Sequence, residues 1–137
     1  MAVDLPEIEF AFPGPLRDLL VDAILTGKKH STSSLVRLYE LDDEPLPRVG
    51  ERGVVIDSSG QGVGVIETTG IEVVALRDVP LEHALDEGED YADVAEWRVG
   101  HLRFWESQEV RAELGDDFTI DDDTLVVLKR FVLVAAF

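Results

Sequence analysis

The chain has 137 residues, 45% of them hydrophobic, which is enough apolar material for one core and points to a single domain over residues 1–137. Lys and Arg total 12 against 29 Asp and Glu, and a formal charge of −17 disfavours long nucleic acid, which is bound mainly by neutralising phosphates. The absence of cysteine excludes a disulfide scaffold, a thiolate metal site and a Cys nucleophile.

The opening MAVDLPEIEF lacks the basic and apolar regions of a secretion signal, and no apolar run approaches the ~18–20 residues of a membrane span. A cytoplasmic protein with no membrane partner is therefore expected. In chain order, Leu16, Leu19, Leu20, Ala23 and Ile24 form a stripe that predicts a helix from Pro15 to Leu25. Pro15 suits its first turn and Gly27 its end. Ser31 to Tyr39 reads as extended, followed by a polar loop with Pro45 and Pro47. From Gly53 to Arg77 the pattern is β: GVVID and VGVIETT flank the turn SSGQG as a hairpin, and IEVVALRDV makes a third strand after Gly70.

Period-two alternation puts Val63, Val65 and Glu67 on one face, an odd place for an acid unless Glu67 lies past the core edge in solvent. Pro80 to Leu85 reads as a short helix. Tyr91 to Leu114 reads as a long one, striped by Tyr91, Val94, Ala95, Leu102 and Trp105, with Gly100 as a point of interruption. The closing TLVVLKRFVLVAAF is rich in β-branched residues and predicts a long strand. Without a regular βαβ rhythm, the class is α+β with a mixed sheet or small barrel.

The charges are unevenly spread. Gly27 to Tyr39 holds Lys28, Lys29 and Arg37 with no acid, whereas Glu82 to Asp123 holds 15 acids and 3 bases. The acidic half reads as a solvated surface, and a positive island within it suits a small ligand better than a long strand. GQGVG at residues 60–64 is a turn, since the dinucleotide fingerprint needs a third glycine where Val65 stands. Asp121, Asp122 and Asp123 lack the calcium-loop pattern, and His30, His83 and His101 lack metal-ligand spacing, so neither metal nor cofactor is expected. His101, near Trp97 and Trp105 on a helix, is the histidine best placed for a pocket. Thr32 follows Lys29 by three residues, near enough for a lysine of lowered pKa to act as base to a hydroxyl. Taken alone that spacing is weak, because lysines after a helix end commonly just complement its dipole.

The run ILTGKKHSTSSLVRLYE resembles the signature of the ASCH domains, the activating-signal-cointegrator homology family, whose hallmark is Gly-x-Lys-Thr-x-Thr after the first helix. EPLPRVGERGVVIDSSGQGVGVIETTGIEVV, AEWRVGHLRFW and TLVVLKRFVLV follow in the family's order, so the similarity spans roughly residues 16–134. The resemblance implies a PUA-like small β-barrel with flanking helices, a fold associated with RNA recognition. Some relatives hydrolyse cytidine acetylated on its exocyclic amine, and others are linked to RNA cleavage. In the hydrolytic relatives a lysine, a threonine and a glutamate act together; here they fall on Lys29, Thr32 and Glu67. The signature's first threonine is replaced by His30, which bears on substrate choice.

Two readings follow from the resemblance. In the first, Thr32 attacks an acyl carbonyl of a modified pyrimidine nucleoside, Lys29 takes its proton, and Glu67 orients the lysine or serves the leaving amine. An ionised Glu67 beside Lys29 would, however, raise the lysine pKa and weaken it as a base. In the second, the same cleft binds a nucleoside or short RNA without chemistry. Lys28, Lys29 and Arg37 then meet phosphates, and Tyr39, Trp97 or Trp105 stack on bases, with His30 and His101 nearby. A ribonuclease is the third possibility.

Overall fold

The computed structural model describes residues 5–137. Five strands form one mixed sheet: β1 (Glu7–Ile8), β2 (Ser31–Leu35), β3 (Arg52–Ile56), β4 (Gly62–Ala75) and β5 (Leu125–Ala136), in the order β1-β3-β4-β5-β2. β1 runs parallel to β3, and every other neighbouring pair is antiparallel. The α+β class holds, but the sheet does not close into the expected barrel. Its edges are the two-residue β1 and the five-residue β2, and β2 pairs with β5 alone. Among the described residues, no helix is long and apolar enough to cross a membrane.

The helices are α1 (Pro15–Leu25), α2 (Val36–Leu41), α3 (Leu81–Asp86), α4 (Val94–Trp105) and α5 (Gln108–Leu114). Alternation along β5 divides the core in two. Val126 and Leu128 point to one face, where they pack with Leu35, Trp97, Trp105, Val110 and Leu114 beneath α4 and α5. Phe131, an odd step away, points to the other face and packs with Val21 and Ile24 of α1 and with Phe10, Val55 and Ile66.

Three expected boundaries move. The extended segment stops at Leu35, because Val36 begins α2. Gly70 does not divide the second and third strands of the hairpin region. A register shift between Thr68 and Gly70 absorbs one residue as a bulge, and β4 runs through it. The long helix is two: α4 ends at Trp105, and Ser107 caps α5 by accepting from Val110 N at 3.4 Å. Gly100 leaves α4 intact, and its missing side chain makes room for Tyr91, whose hydroxyl would lie 2.7 Å from a Cβ there.

Alternation in β4 explains the odd acid. Gly64, Ile66 and Thr68 form the buried face, so Val63, Val65 and Glu67 share the more open one. There Glu67 accepts from Arg52 Nε at 2.8 Å, directly across from it in β3.

Candidate functional site

The signature segment connects α1 to β2, and the end of α3 docks against it. Lys29 N donates to Ala23 O of α1 at 2.9 Å, and His30 N donates to Asp86 O at 3.0 Å. Gly88, with φ at +68°, makes this approach possible: a Cβ there would stand 2.2 Å from the Lys28 carbonyl oxygen. The residue between them, Glu87, is thereby delivered into the interior beside Lys29.

Glu87 is the hub of a buried polar cluster. Its Oε2 accepts from Ser33 Oγ and from Trp97 Nε1, both at 2.6 Å. Its Oε1 lies 3.1 Å from His101 Nε2 and 3.4 Å from Lys29 Nζ. Lys29 Nζ also donates to Glu89 Oε2 at 3.1 Å. Ser33 Oγ is 2.7 Å from His83 Nε2, and Ser31 Oγ donates to the His83 carbonyl. Lys29, His83 and Glu87 are each at most 2% exposed.

Burial works to raise the Glu87 pKa, but hydrogen bonds from His101 and His83 and the charges of His101 and Lys29 outweigh it and hold the carboxyl well below its usual value. His101 shows the converse. Burial favours its neutral form, yet the Glu87 hydrogen bond and charge raise its pKa. Glu89 is raised by burial, against the pull of Lys29. Glu87, Glu89 and His101 bring donor atoms within 4.8 Å of one another, a spacing a metal ion could use. The Lys29 ammonium already sits against both carboxylates there and supplies the positive charge, so the cluster fits no metal as built.

The catalytic set expected from the resemblance is not assembled. Ser31 and Ser33 turn toward α3, so alternation sends Thr32 and Ser34 to the opposite face of the sheet, away from the Lys29 ammonium. Thr32 pairs with Lys129 and Glu67 with Val132, three residues apart on β5, so Thr32 and Glu67 also face opposite ways. The carboxylates that meet Lys29 are Glu87 and Glu89, and the group beside Thr32 is Lys129.

On the Thr32 face lies a groove of about 290 Å³, at the small end of the ~300–1,000 Å³ common for ligand clefts. Buried Thr68 and half-buried Tyr39 and Lys129 line its floor, and exposed Glu7, Glu9, Glu44, Glu51 and Arg52 its rim. Ser34 Oγ donates to the Tyr39 hydroxyl at 3.2 Å and steadies the ring. Burial raises the Tyr39 pKa and lowers that of Lys129, the latter opposed by the charge of Glu51. Among the described residues, the Lys129 ammonium makes neither a hydrogen bond nor an ion pair.

The remaining candidates are dispersed. Lys28 is bound to Asp90 at 2.8 Å, and His30 is 3.7 Å from Asp86. Lys28 and Lys29 of the positive island are therefore neutralised by the acids that follow α3, and Arg37 pairs with Glu40 within α2. Arg37 lies in a second cavity, of about 300 Å³, beside Phe118 and away from the Tyr39 groove. Trp97 and Trp105 are at most 2% exposed and belong to the core, so neither can stack on a bound base. His101 is 9% exposed and stacks on Trp97 at a centroid distance of 4.3 Å.

The fold and the signature segment docked on α3 are those of an ASCH domain. The ASCH domain family model matches residues 9–135, and the chain belongs to that family. A crystal structure of an ASCH domain from Lactobacillus crispatus JV V101 superposes with a TM-score of 0.82 at 29% identity, covering 96% of this chain and 80% of that one. A protein from Enterococcus faecalis V583 superposes equally well, with a TM-score of 0.82, 24% identity and coverage of 99% and 79%; it shows the fold alone. No curated protein matches the chain.

Proposed function

We propose that this ASCH domain binds a nucleoside, or the end of a short RNA, in the groove between Tyr39 and Lys129. The observation that carries this reading is the half-buried Lys129 on the groove floor of an otherwise acidic chain, without a partner among the described residues. A pyrimidine offers a carbonyl oxygen and a ring nitrogen for Lys129 to donate to, and its amine and ribose hydroxyls can donate to the rim carboxylates. Tyr39 presents an aromatic body with a polar tip, suited to one base. Hydrolysis of an acyl group on the exocyclic amine is the finer form of the same proposal, with Thr32, directly across from Lys129, as nucleophile.

Calorimetry with cytidine, acetylated cytidine and a short single-stranded RNA tests the binding. Both Tyr39→Ala and Lys129→Met should weaken nucleoside binding by at least about tenfold, as expected when a stacking or charge-assisted contact worth roughly 1.4 kcal/mol or more is lost. Unchanged affinity in both variants would exclude the groove. RNA binding with a steep loss of affinity as salt rises would favour the non-catalytic RNA module instead.

A further inference from the structure

A groove with donors on its floor and acceptors on its rim selects a ligand polarised the other way. Thr68 pairs with Phe131, two residues from Lys129 on β5, so Thr68 and Lys129 leave the sheet on the same face. Thr68 is 2% exposed and lines the groove, and its hydroxyl makes no hydrogen bond among the described residues. Among those residues, Arg37 Nε is the one fully sealed side-chain N or O without a partner, so the Thr68 hydroxyl still opens into the groove. The hydroxyl and the Lys129 ammonium together suit one acceptor, such as the carbonyl oxygen of a base.

The rim has the opposite character. Four acids, Glu7, Glu9, Glu44 and Glu51, stand there against one base, Arg52. Arg52 is already held by Glu67 at 2.8 Å, and Glu9 by Arg17 at 3.2 Å. Glu51 has only the exposed Arg48, 3.7 Å away, and Glu7 and Glu44 have no counterion among the described residues. The charges of Glu44 and Glu51 both oppose ionisation of the Tyr39 hydroxyl, which places their negative field over the aromatic side of the groove. A neutral pyrimidine leaves that field unanswered, because its amine and hydroxyls donate to the carboxylates without neutralising them.

We propose that the groove selects a nucleoside whose base is positively charged, as methylation on N3 makes a cytosine, over its neutral parent; this rests on the nucleoside reading of the groove. The carbonyl oxygen of the base accepts from Lys129 and Thr68 on the floor, and the charge, spread over the ring and its exocyclic amine, lies toward Glu44 and Glu51. Tyr39 adds a second attraction, because the face of an aromatic ring draws a cation. Lys129 repels the charge, but it is a single base against the acids of the rim, and burial already favours its neutral form.

Calorimetry at neutral pH compares cytidine, N3-methylcytidine, which is a cation there, and C5-methylcytidine, which carries the same added methyl without charge. N3-methylcytidine should bind at least about tenfold tighter than either, from one cation–aromatic contact and one or two partly exposed carboxylate pairs. The advantage should shrink as monovalent salt screens the rim. Glu44→Gln and Glu51→Gln should each narrow it, and the double variant should erase it. Glu109→Gln, the same loss of charge on the exposed face of α5, should leave it intact.

Equal affinity for the three nucleosides, or a preference that survives in the double rim variant, would overturn the proposal. If cytidine still binds and Tyr39→Ala still weakens it, the nucleoside reading then stands without this selectivity. Spermidine that binds as tightly as N3-methylcytidine, and no more weakly in Tyr39→Ala, would also overturn the proposal, by showing that the rim gathers any cation. If none of the three nucleosides binds, the nucleoside reading fails and the proposal with it.

Discussion

Glu87 gathers more of the chain's polar chemistry than any other residue: an ammonium, two imidazoles, a hydroxyl and an indole N–H all meet one buried carboxylate. Removing a charge from water costs several kcal/mol, and only such complete pairing makes it tolerable. Glu87→Gln should therefore destabilise the fold by about 3–5 kcal/mol in urea unfolding, since it removes the one carboxylate that His83 and His101 share and leaves Lys29 only Glu89. The pH dependence follows from the two opposed shifts. Glu87 has a folded pKa below its reference of 4.5, so its contribution is present above that pH and is lost as pH falls through the lower, folded value. His101 has a folded pKa above its reference of 6.5, so its contribution is complete below that pH and is lost as pH rises through the raised value. The window in which both act lies between 4.5 and 6.5, and Glu89, whose pKa is raised, subtracts stability as pH climbs above 4.5. In thermal melts from pH 6.5 upward, His101→Gln should lose most of the alkaline decline seen in wild type. A decline of equal slope in the variant would show that another group carries it.

At the scale of the element, the cluster depends on how α3 ends. Gly88 combines a left-handed φ of +68° with a Cβ position only 2.2 Å from the Lys28 carbonyl oxygen, and neither atom belongs to a flexible side chain. Gly88→Ala should cost about 2 kcal/mol or more, from the ~1–2 kcal/mol of left-handed strain plus the displaced backbone. It should also raise the accessibility of the Lys29 ammonium to acylating reagents, measured by mass spectrometry; unchanged labelling would separate the docking of α3 from the cluster. These elements were unequally legible in sequence. The stripe of Leu16, Leu20 and Ile24 and the alternation around Ile66 reveal α1 and β4, because burial on one face imposes a period. The turn from β2 into α2 at Leu35 carries neither Gly nor Pro, and the break before α5 is marked only by its capping Ser107, so neither interrupts the sequence pattern strongly. The site was less legible still. Glu87 is one of five acids within Glu82 to Asp90, and nothing in that run distinguishes the one that tertiary packing brings to Lys29. Lys129 was open to detection: a lysine inside a β-branched closing strand needs either a partner or a task.

Charge is the property of the whole molecule that most constrains its partners. Among the described residues, the bases are almost all consumed by ion pairs, most of them exposed, while the excess acids lack a counterion. Exposed pairs contribute only about 0–1 kcal/mol each, whereas repulsion at a formal charge of −17 is summed over the whole surface. Salt weakens both, but the repulsion acts over longer distances and is screened first, as the Debye length falls from ~30 Å at 0.01 M to ~8 Å at 0.15 M. The melting temperature should therefore rise on going from 0.01 M to 0.15 M monovalent salt. The same field should repel a polyanion, so affinity for long RNA should be weak at low salt and should not show the steep inverse salt dependence of a phosphate-led interface. Cytidine, being neutral, should bind with an affinity nearly independent of salt. If stability falls with salt, the ion pairs dominate over repulsion. If RNA binding is tight at low salt and collapses at high salt, the molecule presents a cationic surface that these pairings do not account for, and the small-ligand reading of the groove fails with it.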